Sequence, residues 1–485
     1  MHRLFLLVSL SLILAVAQPT WGQCVPTGGS PGGVGVDLIV GGIDGVVAYG
    51  SANGFAAFAV GSTACNIGTA DVSWLSATPD HPVYTTNVYR LLNNRIELIG
   101  MSWVFHGFFP LQQNGCGCSC VLGPVGMLGV GCSNSHSAAI TGQQAGLGPH
   151  VDVLDPALGL HTGVASLNPP ITDLTSRRLR IADADLDPTL NVGAEYFVEV
   201  QYLHPDDAVA GNGLNNCSVR RATVQGAMPN LNLVGPTVLQ EPAIRRWQAQ
   251  VPGVVLSEGT VAGGGRVLLG VLTTDLGNGL WSYEYALYNQ NADAATAFAV
   301  PGPASLQLSA VDYRAGQYHS GEPQDNVDWS FAQAAGELRW QVAAGSNSSL
   351  GWSNMANFRF VTNSVPSPAT ATVVVGSGAA AVTVQVATEA PAVSVPFLRR
   401  GDCNTDTSTN LADAIFLLGN LFPIGVANVL SCDDACDAND DGALNLADAI
   451  AILGSLFGAP PMPLPGPAAC GPDPTSDGLG CVVGC

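Results

Sequence analysis

Between residues 195 and 203 the chain alternates: Tyr196, Val198, Val200 and Tyr202 fall on one side of the pattern, and Phe197, Glu199, Gln201 and Leu203 on the other. A period of two puts successive side chains on opposite faces of a strand. The runs GFAAFAVGS and NRIELIGMSWVFHGFF have the same character, so residues 23–235 read as a first β-rich region. A second, 236–392, repeats the style. Trp281, Tyr283, Tyr285 and Leu287 share a face of WSYEYALY, followed by LRWQVAA, NFRFVTN, TATVVVG and AVTVQVA. Short runs separated by regular turns predict β-sandwich packing. Alternating Pro and small residues in VATEAPAVSVPFLRR resist both helix and packed strand, which makes 393–400 an extended linker.

After Arg400 the period changes. Residues 401–422, GDCNTDTSTNLADAIFLLGNLF, and 436–458, CDANDDGALNLADAIAILGSLFG, form an internal repeat in which Asp402 corresponds to Asp437. Ile415, Leu418 and Leu421/Phe422 in the first half match Ile450, Leu453 and Leu456/Phe457 in the second. Spacing of three to four predicts a helix in each, with the two stripes packed together.

Calcium takes about six to eight oxygen ligands, and a loop of about 12 residues supplies them from positions 1, 3, 5, 7, 9 and 12. The second loop offers side-chain oxygens from Asp437, Asn439 and Asp441, the backbone carbonyl of Ala443, Asn445 directly or through water, and Asp448, with Gly442 at the turning sixth position. The first offers Asp402, Asn404, Asp406, the Ser408 carbonyl, Asn410 and Asp413 in the same places. There Thr407 replaces the glycine, and a β-branched residue in a left-handed conformation costs on the order of 1–2 kcal/mol. The first loop is therefore expected to bind calcium more weakly.

Asp in place of Glu at position 12, and one helix per loop where an EF-hand has two, resemble the duplicated F-hand of a type I dockerin over residues 401–458. The resemblance implies a small all-α domain holding two calcium ions and docking onto a cohesin-like protein partner or cell-surface scaffold. Positions 10 and 11, which help dockerins read their partner, are Leu411 and Ala412, then Leu446 and Ala447. Dockerins also ride on polysaccharide-degrading enzymes, so a glycoside hydrolase or a carbohydrate-binding protein is the alternative the resemblance raises.

Charge and leader change the picture further. The start MHRLFLLVSLSLILAVAQPTWGQ has a basic beginning, an apolar run and small residues, which predicts a signal peptide over 1–22 and a secreted or cell-surface protein. No later run approaches the roughly 20 apolar residues of a spanning helix, so membrane insertion is not expected. The net charge of −21 opposes phosphate backbones and anionic lipid, which argues against a nucleic-acid partner. All 16 basic residues are Arg, which removes Schiff-base chemistry and the P-loop lysine. From Gly401 onward there are 11 Asp and no basic residue, a composition suited to cations.

Thirteen Cys in an exported chain read as disulfides, seven before residue 230 and six after 400. The later set can close on itself, with a clasp between the repeat halves through Cys403, Cys432 and Cys436, and a Pro- and Cys-rich tail at 459–485. The earlier, odd set leaves one thiol over. Connectivity stays open.

Weaker constellations compete with structural readings. Cys116, Cys118, Cys120 and Cys132 with His136 could ligate zinc or copper, or form two disulfides. Asp183, Asp185 and Asp187 with His204, Asp206 and Asp207 could bind a further cation, or serve turns. His319, Glu322 and Asp312 have hydrolytic residue types, as do Glu195 and Glu199. The latter two, four apart on one strand face, stand about 13 Å from each other, beyond glycosidase spacing. GGSPG at Gly28–Gly32 has the form G-x-S-x-G but lies in a Gly-rich lead with no strand before it. No catalytic residue is assigned. Trp281 and Trp329 are the candidate platforms for a glycan. Phrases such as FAVGSTACNIG and LHPDDAVAGNGLNN are similar to parts of large exported bacterial proteins of no assigned activity, which implies no mechanism.

The expected fold is mainly β, of β-sandwich-like regions, with a small C-terminal all-α calcium-binding dockerin-like domain. The expected role is a secreted surface or matrix protein tethered through calcium. If it is an enzyme, it is a polysaccharide hydrolase.

Overall fold

The structure, a computed structural model, describes residues 24–481 apart from 107–108, 226–229, 304–305, 335, 393–397, 459, 472, 474 and 476–478. The expected signal peptide, most of the expected linker and Cys485 lie outside the described residues. The chain is mainly β, and it divides after Ala392 into two compact units.

The first unit opens with a hairpin, β1 (Leu38–Ala52) and β2 (Phe55–Asn66). Its two-residue turn is Asn53-Gly54, both at positive φ, the backbone that matches the twist of paired strands. The same device, Asn93-Asn94, joins β3 (Val83–Leu92) to β4 (Arg95–Met101). With β5 (Leu179–Ala182), β6 (Glu195–Leu203), β7 (Cys217–Gln225) and β8 (Asn230–Leu233) these form one antiparallel sheet, ordered β1-β2-β5-β4-β3-β6-β7-β8.

Alternation in β6 resolves as two buried faces. Tyr196, Val198, Val200 and Tyr202 join Phe58, Tyr84 and Val88 in one core. Phe197, with Tyr89 and Leu98, enters another core built around Trp247 of helix α1 (Ile244–Gln250), together with Leu268, Ala286 and Tyr288 from the sheet that follows. Glu199 is buried on that second face, where its carboxylate accepts from the Tyr89 hydroxyl at 2.9 Å and the Ala243 N–H at 2.6 Å. Burial pushes its pKa up.

Residues 255–391 make two five-stranded antiparallel sheets. One is ordered β9-β10-β11-β16-β13, from β9 (Val255–Thr260), β10 (Arg266–Gly277), β11 (Leu280–Gln290), β13 (Leu308–Ala315) and β16 (Met355–Thr362). The other is ordered β14-β15-β12-β17-β18, from β12 (Ala295–Pro301), β14 (Ser330–Ala334), β15 (Glu337–Gln341), β17 (Pro366–Val375) and β18 (Val382–Pro391). They share a core in which Tyr283, Tyr285 and Phe358 face Phe298, Trp340 and Val373. Trp329 belongs to this core: it is 3% exposed and donates to the Ser348 carbonyl at 2.8 Å, so it is no glycan platform. Trp281 is half-buried against the same core.

Cysteines of the first unit pair as Cys24–Cys118, Cys65–Cys116 and Cys120–Cys132, and Cys217 is a free, buried thiol. Disulfides suit an oxidising compartment. Among the described residues no helix is long and apolar enough to cross a membrane.

The second unit carries helices α2 (Leu411–Leu421) and α3 (Leu446–Phe457). Its cysteines pair as Cys403–Cys436 and Cys432–Cys481, and Cys470 is also disulfide-bonded. Cys403–Cys436 spans the two halves of the repeat.

Candidate metal centre

Each loop leads into its helix through a capping box. The Asn410 side chain accepts from the Ala412 N–H at 2.8 Å while Asp413 accepts from the Asn410 N–H at 2.8 Å, and Asn445 and Asp448 repeat both contacts. A cap satisfies N–H groups that the first helical turn leaves unpaired. Here the same two residues are positions 9 and 12 of the loop, so helix start and loop closure are one feature.

Position 1 organises the other end. The two oxygens of Asp402 accept from the Asp406 and Thr407 N–H groups at 3.0 and 2.9 Å. Those of Asp437 accept from Asp441 and Gly442 at 3.2 and 2.8 Å. Asn404 and Asn439 accept from the N–H of position 5, and Asp406 and Asp441 from that of position 7. Asp413 and Asp448 reach back to the N–H of position 3 at 3.2 and 3.3 Å. The two loops thus carry the same hydrogen bonds residue for residue, and position 6 is left-handed in both, at φ 71° for Thr407 and 75° for Gly442.

The electrostatics suit a cation. Asp402, Asp413, Asp437 and Asp448 are all buried, and their hydrogen bonds come from N–H groups of their own loops. Burial, then the charge of Asp413, raises Asp402, and burial raises Asp413. In the second loop burial, aided by Asp437, pushes Asp448 up to about 6. Carboxylates held close without a countercharge favour protons, and a divalent ion relieves the same repulsion. Among the described residues there is no group of three or more His, Cys, Asp and Glu side chains placed to hold a metal ion. Asn404, Asn410, Asn439 and Asn445, with the Ser408 and Ala443 carbonyls, are the neutral oxygens that stand beside these carboxylates in the two loops.

Helix packing keeps part of the expected stripe, since Leu418, Leu421 and Leu453 pack against the core between the helices, and differs in the rest. Ala414 and Leu417 of α2 meet Ala449 and Ile452 of α3, along with Cys403, Cys436 and Met462. Ile415 and Ile450 instead point outward, 60% and 61% exposed, in line with Leu411 and Leu446 and with Phe422 and Phe457. A spacing of three to four defines two adjacent faces, and small Ala414 and Ala449 let the helices approach on the other one.

Arg400, counted with the linker from sequence, is a buried cation of this unit. It donates to the Asp437 carbonyl at 2.6 Å and pairs with Asp440 at 3.0 Å and Asp473 at 2.5 Å. Sequence reading missed it because its partners lie 40 and 73 residues away.

The weaker constellations are not brought together as sites. Cys116, Cys118, Cys120 and Cys132 are all in disulfides, and burial alone lowers His136 to about 4. Asp183 accepts from Ser51, Asp185 pairs with Arg90 and Arg314, and Asp187 accepts from Thr189. His204 closes a turn onto the Asp206 N–H, while Asp207, raised to about 8 by burial, accepts from Leu38 and Asn216. His319 contacts the Met101 carbonyl, Glu322 takes His150 at 2.8 Å, and Asp312 faces Arg95. Glu195 pairs with Arg221 at 2.9 Å.

No family model matches the chain. No curated protein matches it. Among solved structures, one described as manganese lipoxygenase of Gaeumannomyces graminis with part of zonadhesin of Komagataella pastoris is 8% identical, covers 72% of this chain and 94% of its own, and has a TM-score of 0.18. A serine-rich repeat protein from Streptococcus agalactiae is 9% identical, covers 73% and 92%, and has a TM-score of 0.17. Similarity at that level carries no argument about fold or activity.

Proposed function

We propose that this chain is a secreted surface or matrix protein whose dockerin-like C-terminal module binds two calcium ions and tethers its β-rich unit to a protein partner. The observation that carries the reading is the residue-for-residue match of the hydrogen bonds in the two loops, from Asp402 and Asp437 at one end to Asp413 and Asp448 at the other. Calcium completes each loop, and the ordered loops fix the two helices. Leu411, Ile415 and Phe422 on one helix, and Leu446, Ile450 and Phe457 on the other, then offer two equivalent exposed apolar faces. Apolar rows of this kind suit a protein surface better than a glycan.

Retention of the full-length protein on the surface of the cells that secrete it tests the tether. Chelator releases the protein, restored calcium rebinds it, and the double variant Asp413→Asn, Asp448→Asn is found in the medium. Equal retention of wild type with and without chelator contradicts calcium-dependent tethering.

A further inference from the structure

Between β4 and β5 on one side and β13 with the segment after it on the other, the first unit holds a cleft of about 460 Å³. Cavities of that size take small organic ligands. One wall carries Arg180, whose guanidinium lies over the Phe55 ring, 3.6 Å from its centroid. Its backbone is fixed, because β5 pairs with β2 and β4 at once. Every other described arginine makes a hydrogen bond or ion pair within the protein. The Arg180 side chain makes neither, the Asp173 carboxylate acting on it only through its charge from a distance, and its Nε is buried with no partner. A planar five-donor cation held on one face by a ring and left unbonded along its edges matches a carboxylate, which it meets through two parallel N–H bonds.

Of the other charges of the cleft, Arg314, Asp185 and Asp325 are already engaged and Asp328 is not. Arg314 pairs with Asp185 at 2.8 Å and Glu97 at 3.3 Å, and Asp185 also takes Arg90 at 2.9 Å. Asp325 accepts from Ser346, Asn347 and Val327. What remains besides Arg180 is uncharged or at the exposed rim: the Tyr313 hydroxyl, the Gln317 amide and the Asp328 carboxylate, groups that donate to and accept from ring hydroxyls.

We propose that this cleft binds an acidic sugar, a uronate unit of a polysaccharide, with Arg180 receiving the carboxylate and Tyr313, Gln317 and Asp328 the hydroxyls. A ligand with one anionic group beside several hydroxyls answers both features, whereas a neutral sugar leaves Arg180 unpaired and a bare anion leaves the polar rim unused. The site lies in the β-rich unit and is independent of calcium.

Calorimetric titration of the full chain in chelator, which silences the calcium loops, tests it with digalacturonate, the matching neutral disaccharide and sodium sulfate. Digalacturonate binds at least about tenfold more tightly than either, Arg180→Gln removes that difference, and Arg180→Lys, which keeps the charge but not the fork, retains part of it. Circular dichroism confirms that both variants are folded. If Arg180→Gln does not fold, the Lys variant alone decides. Equal binding of the neutral disaccharide, sulfate binding as tight as uronate, or undiminished uronate binding by a folded variant overturns the proposal.

Discussion

Thr407 and Gly442 hold the same left-handed conformation at the same position of the two loops, φ 71° and 75°, one with a β-branched side chain and one with none. The neighbouring left-handed position makes the contrast larger, since it is Thr405 in the first loop and Asp440 in the second. Thr405 donates its hydroxyl to the Asn404 carbonyl at 2.8 Å, whereas Asp440 pairs with Arg400 and accepts from Thr475, and a left-handed backbone costs a β-branched threonine more than an aspartate. The first loop therefore starts from a more strained backbone.

Thr407→Gly is expected to relieve about 1 kcal/mol of that strain and to raise first-loop calcium affinity by about fivefold. Titration calorimetry on the chelated full chain reads it: two unequal sites in wild type become more nearly equal in the variant.

The calcium-free module carries an inverted pH dependence. Asp448 is raised to about 6 by burial, with Asp437 adding to it, so the folded state holds its proton more tightly than the unfolded chain does. Its contribution to stability is complete below the ordinary carboxylate range and is lost as pH rises through about 6. Calcium-free protein is expected to melt at a lower temperature at pH 7 than at pH 5. If the loops bind calcium as proposed, the ion is expected to reverse the order, because it requires the deprotonated carboxylate, and to bind more weakly below about pH 6. Thermal melts with calcium and with chelator at the two pH values check both signs.

Removing the clasp is expected to move an ordering cost onto the proposed calcium binding. Cys403–Cys436 closes a segment with a sequence separation of 33. By chain-entropy reasoning its loss destabilises the second unit by about 3–4 kcal/mol. The double variant Cys403→Ala, Cys436→Ala is expected to need calcium to fold, which circular dichroism near the helical minimum follows directly.

Arg400→Gln removes the cation that Asp440 and Asp473 share and withdraws donors from the Asp434 and Asp437 carbonyls. Breaking a buried pair from one side costs about 3–5 kcal/mol. The expected readout is a lowered melting transition of the second unit, with that of the β-rich unit unchanged.

Thiol labelling tests the cysteine arrangement. Cys217 is buried on β7 with its thiol 3.8 Å from the Tyr288 hydroxyl, and burial pushes its pKa well up. Native protein is expected to resist alkylation, and unfolded, unreduced protein to label at Cys217, as peptide mapping shows.

Local patterns were legible in the sequence, and choices made by distant packing were not. The strands announced themselves by alternation, and both loops by spacing, because turn and helix cap fall within about 12 residues. The face by which each helix packs was legible in part: Leu418, Leu421 and Leu453 do pack, but Ile415 and Ala414 are neighbours in sequence, and only the partner helix decides which turns inward. Trp329 read as a surface aromatic because nothing local shows that two sheets close over it. Glu199 looked like a candidate acid on a strand face, yet that face is covered by Trp247 and Tyr288, from segments beginning some 40 residues further on. Arg400 and Arg180 were invisible for the same reason. What distinguishes them is the partners that folding supplies to one and withholds from the other.

The count of calcium ions held by the full-length protein is the most direct test of the central claim. Protein stripped with chelator, then titrated with calcium and followed by native mass spectrometry, is expected to take up two ions, the tighter lost on Asp448→Asn and the weaker on Asp413→Asn. Uptake of no calcium by a chain whose disulfides and helices are intact contradicts it.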